Sequence, residues 1–129
     1  MKKYIYNAYG KIVVKTVLDF NPSYSLFLSY SLVAKEVFPT KSAQEKSCPK
    51  NTFLGLCEEG LVNGIPKGNY TKSVKNKEYA LKAIAILKQN TQTTFSPKEL
   101  WEKLELGDKS SNSQMDVILA LWEHGLINL

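Results

Sequence analysis

The stretch "LGLCEEGLVN", residues 54 to 63, returns as "LALWEHGLIN", residues 119 to 128, with six of the ten positions identical. Both copies carry the pattern of a helix stop in which a glycine takes the left-handed conformation and the next leucine folds back on a leucine one turn earlier. The stops are Gly60 and Gly125, and the leucine pairs are Leu56 with Leu61 and Leu121 with Leu126. Two helix ends can share such a signature for local reasons, so the preceding segments decide whether the repeat is larger. "KIVVKTVL" from Lys11 aligns with "EYALKAIA" from Glu78 at an offset of 67, close to the offset of 65 between the glycines, and both are amphipathic. The expectation is therefore an all-α chain of about six helices, arranged as two duplicated tri-helical halves, roughly 1–66 and 67–129, packed into a single domain over 1–129.

Hydrophobic spacing locates the helices. Ile5, Ala8, Tyr9, Ile12, Val13, Thr16, Val17 and Phe20 recur at three and four, predicting a first helix from Tyr4 to Phe20 that stops near Asn21 and Pro22. Leu26, Tyr30, Val33 and Val37, with Phe27 and Ala34 alongside, predict a second helix ended by Pro39, and "TKSAQEK" reads as a polar connector with room for one helical turn. Ser47 is placed to cap a third helix from Cys48 to about Glu59, with Pro49 tolerated in its first turn. "NKEYALKAIAILKQN" predicts a fourth, with Tyr79, Ala83, Ile86 and Leu87 on one side. "SPKEL" is the clearest helix start in the chain: Ser96 as cap, Pro97 in the first turn and Glu99 reaching back complete a capping box. A last helix begins near "NSQMD", with Ser113 and Asp116 as a second box, and ends at Gly125.

No apolar run approaches the roughly 20 residues of a membrane span, and "MKKYIYNAYGKIVVK" lacks the apolar core and small-residue cleavage site of a secretory signal, so the expected location is cytoplasmic. Cys48 and Cys57 are too few for a disulfide framework and lack partners at zinc-ligand spacing; on one helix they fall on opposite faces, which excludes a bridge. The net charge of +5 arises entirely from lysine against the acids, with no arginine, which weakens any sequence-reading role on nucleic acid.

A helix, a shorter helix and a third ending "LWEHGLI" also has the outline of a winged helix-turn-helix, with "LVNGIPKGNYTKS" long enough for a short central hairpin. The surfaces argue against that use. Residues 48–60 sum to −1 and residues 113–124 to −2, where a DNA-reading helix would be basic. "CPKNTFLGLCEEGLVNGIPKGNYTKS", "NKEYALKA" and "NSQMDVILALWEHGLI" together resemble an uncharacterised family of small bacterial proteins. The resemblance implies a bacterial, soluble, single-domain protein and carries no activity, ligand or catalytic residue with it.

Candidate chemistry is sparse. Cys48 is a reactive-thiol candidate, because a helix start between Lys46 and Lys50 favours the thiolate. A nucleophile also needs a base, and the only histidine, His124, sits at the end of another helix. No pair of acids, glycine-rich phosphate loop or metal-ligand cluster stands out, and no cofactor is implied. Trp101 and Trp122 are assigned to core contacts. The remaining feature is the acid-free connector holding Lys67, Tyr70, Lys72, Lys75 and Lys77, an anion-binding candidate whose bland counterpart is a solvated charged loop. The expected function is a non-enzymatic binding module that works through protein contacts. The alternative is an anion or nucleic-acid binder using the central lysines, and a cysteine-dependent enzyme ranks third.

Overall fold

The computed structural model describes residues 6–128, and among them every regular element is helical. Six helices of seven residues or more are joined by one single-turn helix: α1 (Ala8–Leu18), α2 (Leu26–Val37), α3 (Lys41–Gln44), α4 (Ser47–Glu58), α5 (Val74–Gln89), α6 (Pro97–Lys103) and α7 (Gln114–Glu123). None of them is long and apolar enough to cross a membrane. The extra element, α3, is the turn allowed for in "TKSAQEK", and Thr40 caps it.

Local chemistry explains most of the boundaries. The Asn7 side chain accepts from the Tyr9 N–H at 3.0 Å and starts α1, whose predicted forerunners Tyr4 and Ile5 lie outside the described residues. The Ser96 box closes as expected: Ser96 Oγ accepts from the Glu99 N–H at 3.1 Å, and Glu99 Oε1 accepts from the Ser96 N–H at 2.8 Å. The expected box at Ser113 and Asp116 does not form. Ser113 adopts φ 67°, a left-handed start that turns its hydroxyl away from the helix N–H groups. Both polar side chains serve α1 instead, since Ser113 Oγ accepts from Asn7 Nδ2 at 2.9 Å and Asp116 Oδ1 from the Asn7 N–H at 2.9 Å. Ser47 likewise lies inside α4, with Lys46 in the cap position and no side-chain cap bond.

The two repeated stretches are the heart of the core. Phe53, Leu54, Leu56 and Cys57 of α4 and Val117, Ile118, Ala120 and Leu121 of α7 are all buried, and the two helices pack on each other. Each then ends in the predicted manner: Gly60 at φ 74° with the Leu61 N–H donating to Leu56 O at 3.1 Å, and Gly125 at φ 67° with the Leu126 N–H donating to Leu121 O at 2.9 Å. Beyond the glycines the chains meet. Val62 and Ile127 form an isolated antiparallel bridge, with the Asn63 N–H donating to Leu126 O and the Asn128 N–H to Leu61 O, each at 2.8 Å. The asparagine side chains complete the exchange, Asn63 Nδ2 donating to Gly125 O at 3.0 Å and Asn128 Nδ2 to Gly60 O at 2.8 Å. The connector after Gly60 thus pairs with the end of the other repeat and makes no hairpin with itself, because its one strand-like residue, Val62, is already taken.

Around this centre the outer helices cross over. α1 packs on α7 and α5 packs on α4, each touching the core helix of the other half. Both crossings are close. A Cβ on Gly10 of α1 would sit 2.9 Å from Ala120 Cβ and 2.9 Å from Asp116 O, and a Cβ on Gly55 of α4 would sit 2.9 Å from Lys77 Cβ on α5. Gly10 and Lys77 are related by the 67-residue offset, and Gly55 and Ala120 by the 65-residue offset. The halves differ elsewhere: α2 has 12 residues where α6 has 7, and α5 and α6 also pack on α7.

Candidate functional site

α2 lies at the edge of the fold, packed mainly on α1 and α3. It buries Leu26, Tyr30, Val33 and Ala34, as the stripe predicts, but Phe27 and Val37, assigned to that stripe, are 45% and 40% exposed. Leu28 and Leu32 are exposed by 42% and 50%, and Tyr24, just before the helix, by 54%. At about 100° per residue, Leu28 and Leu32 stand about 40° apart on the outward face, with Lys35 about 20° beyond Leu28 on the side of Phe27. This band of large apolar side chains is the feature the sequence reading missed. The signal was present in "YSLFLSYSL", where leucines at 28 and 32 form a second stripe beside the one that was counted.

Phe27 borders a cavity of about 490 Å³, closed by Asn51 of α4 and residues 69–73 of the connector. The connector holds its shape around an internal anion. Glu58 Oε1 accepts from the Tyr70 N–H at 2.7 Å and the Thr71 N–H at 3.1 Å, while Oε2 accepts from Lys77 Nζ at 2.8 Å. Lys77 also reaches Glu59 at 2.6 Å. Two successive backbone N–H groups and a cation form an anion cradle, and the protein's own carboxylate fills it. The Lys77 hydrogen bond, then those from Thr71 and Tyr70, pull the Glu58 carboxyl down from 4.5 to about 2. Thr71 Oγ1 donates on to Asn51 Oδ1 at 2.9 Å, and Tyr70 donates its hydroxyl to Pro66 O at 2.6 Å.

The five residues of the anion-binding candidate therefore separate. Lys77 is committed to Glu58 and Glu59, and Tyr70 is half-buried within the connector. Lys67 is exposed, its stem laid close over Gly60. Lys72 lines the cavity, and Lys75 points outward on the first turn of α5. Lys67, Lys72 and Lys75 make no ion pair among the described residues. Beside the cavity, Lys50 Nζ lies 5.3 Å from the centre of the Phe27 ring and 6.0 Å from that of Tyr30. Tyr30 stacks on Phe53, and its buried hydroxyl has no hydrogen-bond partner among the described residues.

Cys48 and Cys57 are both free thiols on α4. Burial pushes the Cys57 thiol far up, and its side chain is fully enclosed. Cys48 is half-exposed at the first turn of α4, whereas His124 caps α7, with its Nε2 2.7 Å from the Tyr6 hydroxyl. In the folded protein a thiol reagent should label Cys48 alone, with Cys57 reacting only on unfolding; mass spectrometry of alkylated peptides before and after denaturant checks this. Among the described residues no group of three His, Cys, Asp or Glu side chains could hold a metal ion.

The fold and this surface define a small all-helical domain with an apolar helix face beside a cavity lined in part by Lys72. The chain belongs to the family of unknown function DUF6979, which matches residues 6–128. No curated protein and no solved structure matches it significantly.

Proposed function

We propose that this domain is a non-enzymatic binding module that works through protein contacts, and that α2 is the surface it offers. The exposure of Phe27, Leu28 and Leu32 on one helix carries the reading, because neighbouring apolar side chains left in water by a folded chain mark contact surfaces. Together with Tyr24 they supply the aromatic and aliphatic anchors typical of the centre of an interface. The bacterial and cytoplasmic setting expected from the sequence belongs to the same proposal. A Leu28→Glu, Leu32→Glu variant should keep its helical content and Tm, since both side chains are already half in water, while losing about tenfold or more in affinity for any protein captured from a host extract. Capture unaffected by the two changes would remove α2 from the proposal. Capture that depends on nucleic acid and on Lys67, Lys72 and Lys75 would favour the anion-binding alternative.

We also propose that the two halves descend from a duplicated tri-helical unit. The exchanged asparagine bonds and the paired close approaches Gly10–Ala120 and Lys77–Gly55 support it, occurring as they do at offsets that align the sequence with itself.

A further inference from the structure

Taking α2 as the docking face, we infer that its partner is an acidic amphipathic helix, whose apolar side chains seat on Leu28, Leu32 and Phe27 and whose carboxylates meet Lys35, Lys50 and Lys72. The inference comes from how charge is distributed around the apolar band. Lys35 shares the outward face with the two leucines. Lys50 is held over the Phe27 ring, and Lys72 lines the cavity that Phe27 borders, whose lining includes no acid. None of the three lysines has a carboxylate partner among the described residues. Of the acids on the opposite flank of α2, Asp19 pairs with Lys15 at 3.0 Å, while the exposed Glu36, four residues after Leu32, borders the band on that side alone. Glu58 is spent on Tyr70, Thr71 and Lys77. The face therefore has unmet positive charge on one side of an apolar centre, within a chain of net charge +5.

The dimensions fit a helix. α2 has 12 residues, about 18 Å of axis, which matches three to four turns of a partner laid along it. Helices that dock this way present anchors at three- and four-residue spacing, as Leu28 and Leu32 do here. A second copy of this chain would bring its own lysines and another net charge of +5 to the same face. A lipid surface calls for a broad apolar face, whereas here Ser31 and Lys35 interrupt a narrow one beside a concave cavity.

The test uses the full chain and two fluorescein-labelled helical peptides of about 18 residues. Both carry leucines at three- and four-residue spacing; the other positions are mainly glutamate in one and lysine in the other. Fluorescence anisotropy should show the glutamate peptide binding about tenfold or more tightly, with the preference falling as salt rises. Lys50→Gln with Lys72→Gln should cut the preference to about threefold or less, and Leu28→Glu with Leu32→Glu should abolish binding of both peptides. Equal binding of the two peptides, still lost with the leucines, would overturn the acidic partner while leaving the docking face intact. Binding of the glutamate peptide that ignores the leucine changes would overturn both. Absence of binding by either peptide overturns the acidic helix, and the extract capture then decides the face by itself. Leucine-dependent binding to phosphatidylserine vesicles without peptide binding, or a leucine-dependent dimer in sedimentation, would replace the acidic helix with a lipid surface or a second copy.

Discussion

Replacing Glu58 by alanine should lower stability by about 2–3 kcal/mol, seen as a fall in Tm of roughly 10 °C. The side chain is 12% exposed and accepts from two successive backbone N–H groups and from Lys77. Its loss leaves the Tyr70 and Thr71 donors half-buried without an acceptor, which is the costly kind of deletion. Glu58→Gln, which keeps one acceptor oxygen but removes the charge, should fall between wild type and alanine. The pH dependence follows from the direction of the shift. A carboxyl whose folded pKa is pulled from 4.5 to about 2 stabilises the fold fully above its ordinary value, and that contribution is lost as pH falls from about 4.5 towards 2. Thermal melts of wild type and Glu58→Ala should therefore converge across that window and stay separated at neutral pH. Parallel curves would show that the connector is held by packing rather than by the carboxylate. Neutralising Lys67, Lys72 and Lys75 together should leave the melt unchanged, because none is tied into this network.

The Glu58 network also shows where sequence reasoning reached and where it stopped. The acid-free run from Lys67 to Lys77 stands out in the sequence, but the carboxylate that Lys77 meets, Glu58, is 12 residues upstream of Tyr70. Nothing in local spacing joins Glu58 to Thr71; only the turn of the chain after Gly60 brings them together. Helix positions, by contrast, followed from periodicity and caps, and the departures are local. Ser113 and Asp116 have the spacing of a capping box, yet Asn7 competes for both from the other end of the chain. Phe27 has the spacing of a core residue, yet α2 sits at the edge, and a helix with apolar side chains on two faces can bury only one there. The doubled "GL" stop was legible as two helix ends. That the ends would pair, asparagine to glycine carbonyl in both directions, depends on α4 and α7 packing side by side.

That packing sets up the largest expected effect. Gly10→Val and, separately, Gly55→Val should each cost about 3 kcal/mol or more, enough to leave a domain of this size partly unfolded at its working temperature. At Gly10 the first added carbon meets Ala120 Cβ and the Asp116 carbonyl oxygen, both at 2.9 Å, and at Gly55 it meets Lys77 Cβ at 2.9 Å and Lys77 Cα at 3.0 Å. All four atoms belong to the backbone or to a Cβ fixed by it, so the strain is relieved only by moving α1 off α7 or α5 off α4. The Tyr6 ring also crowds Gly10, but a tyrosine on an open segment can turn aside; the α7 contacts cannot. Alanine at either site gains helix propensity worth up to about 1 kcal/mol, which offsets part of the clash, so Gly10→Ala and Gly55→Ala should be milder than valine and similar to each other. Chemical denaturation at neutral pH measures all four. Separate movement of the two crossings is the informative feature: Gly10→Val should expose Cys57 to thiol reagents no more than global unfolding does, whereas Gly55→Val, two residues from Cys57 on α4, should speed its labelling under native conditions. If Gly10→Val melts with wild type, α1 is not held against α7 by close backbone approach, and the correspondence between the two crossings loses its physical basis.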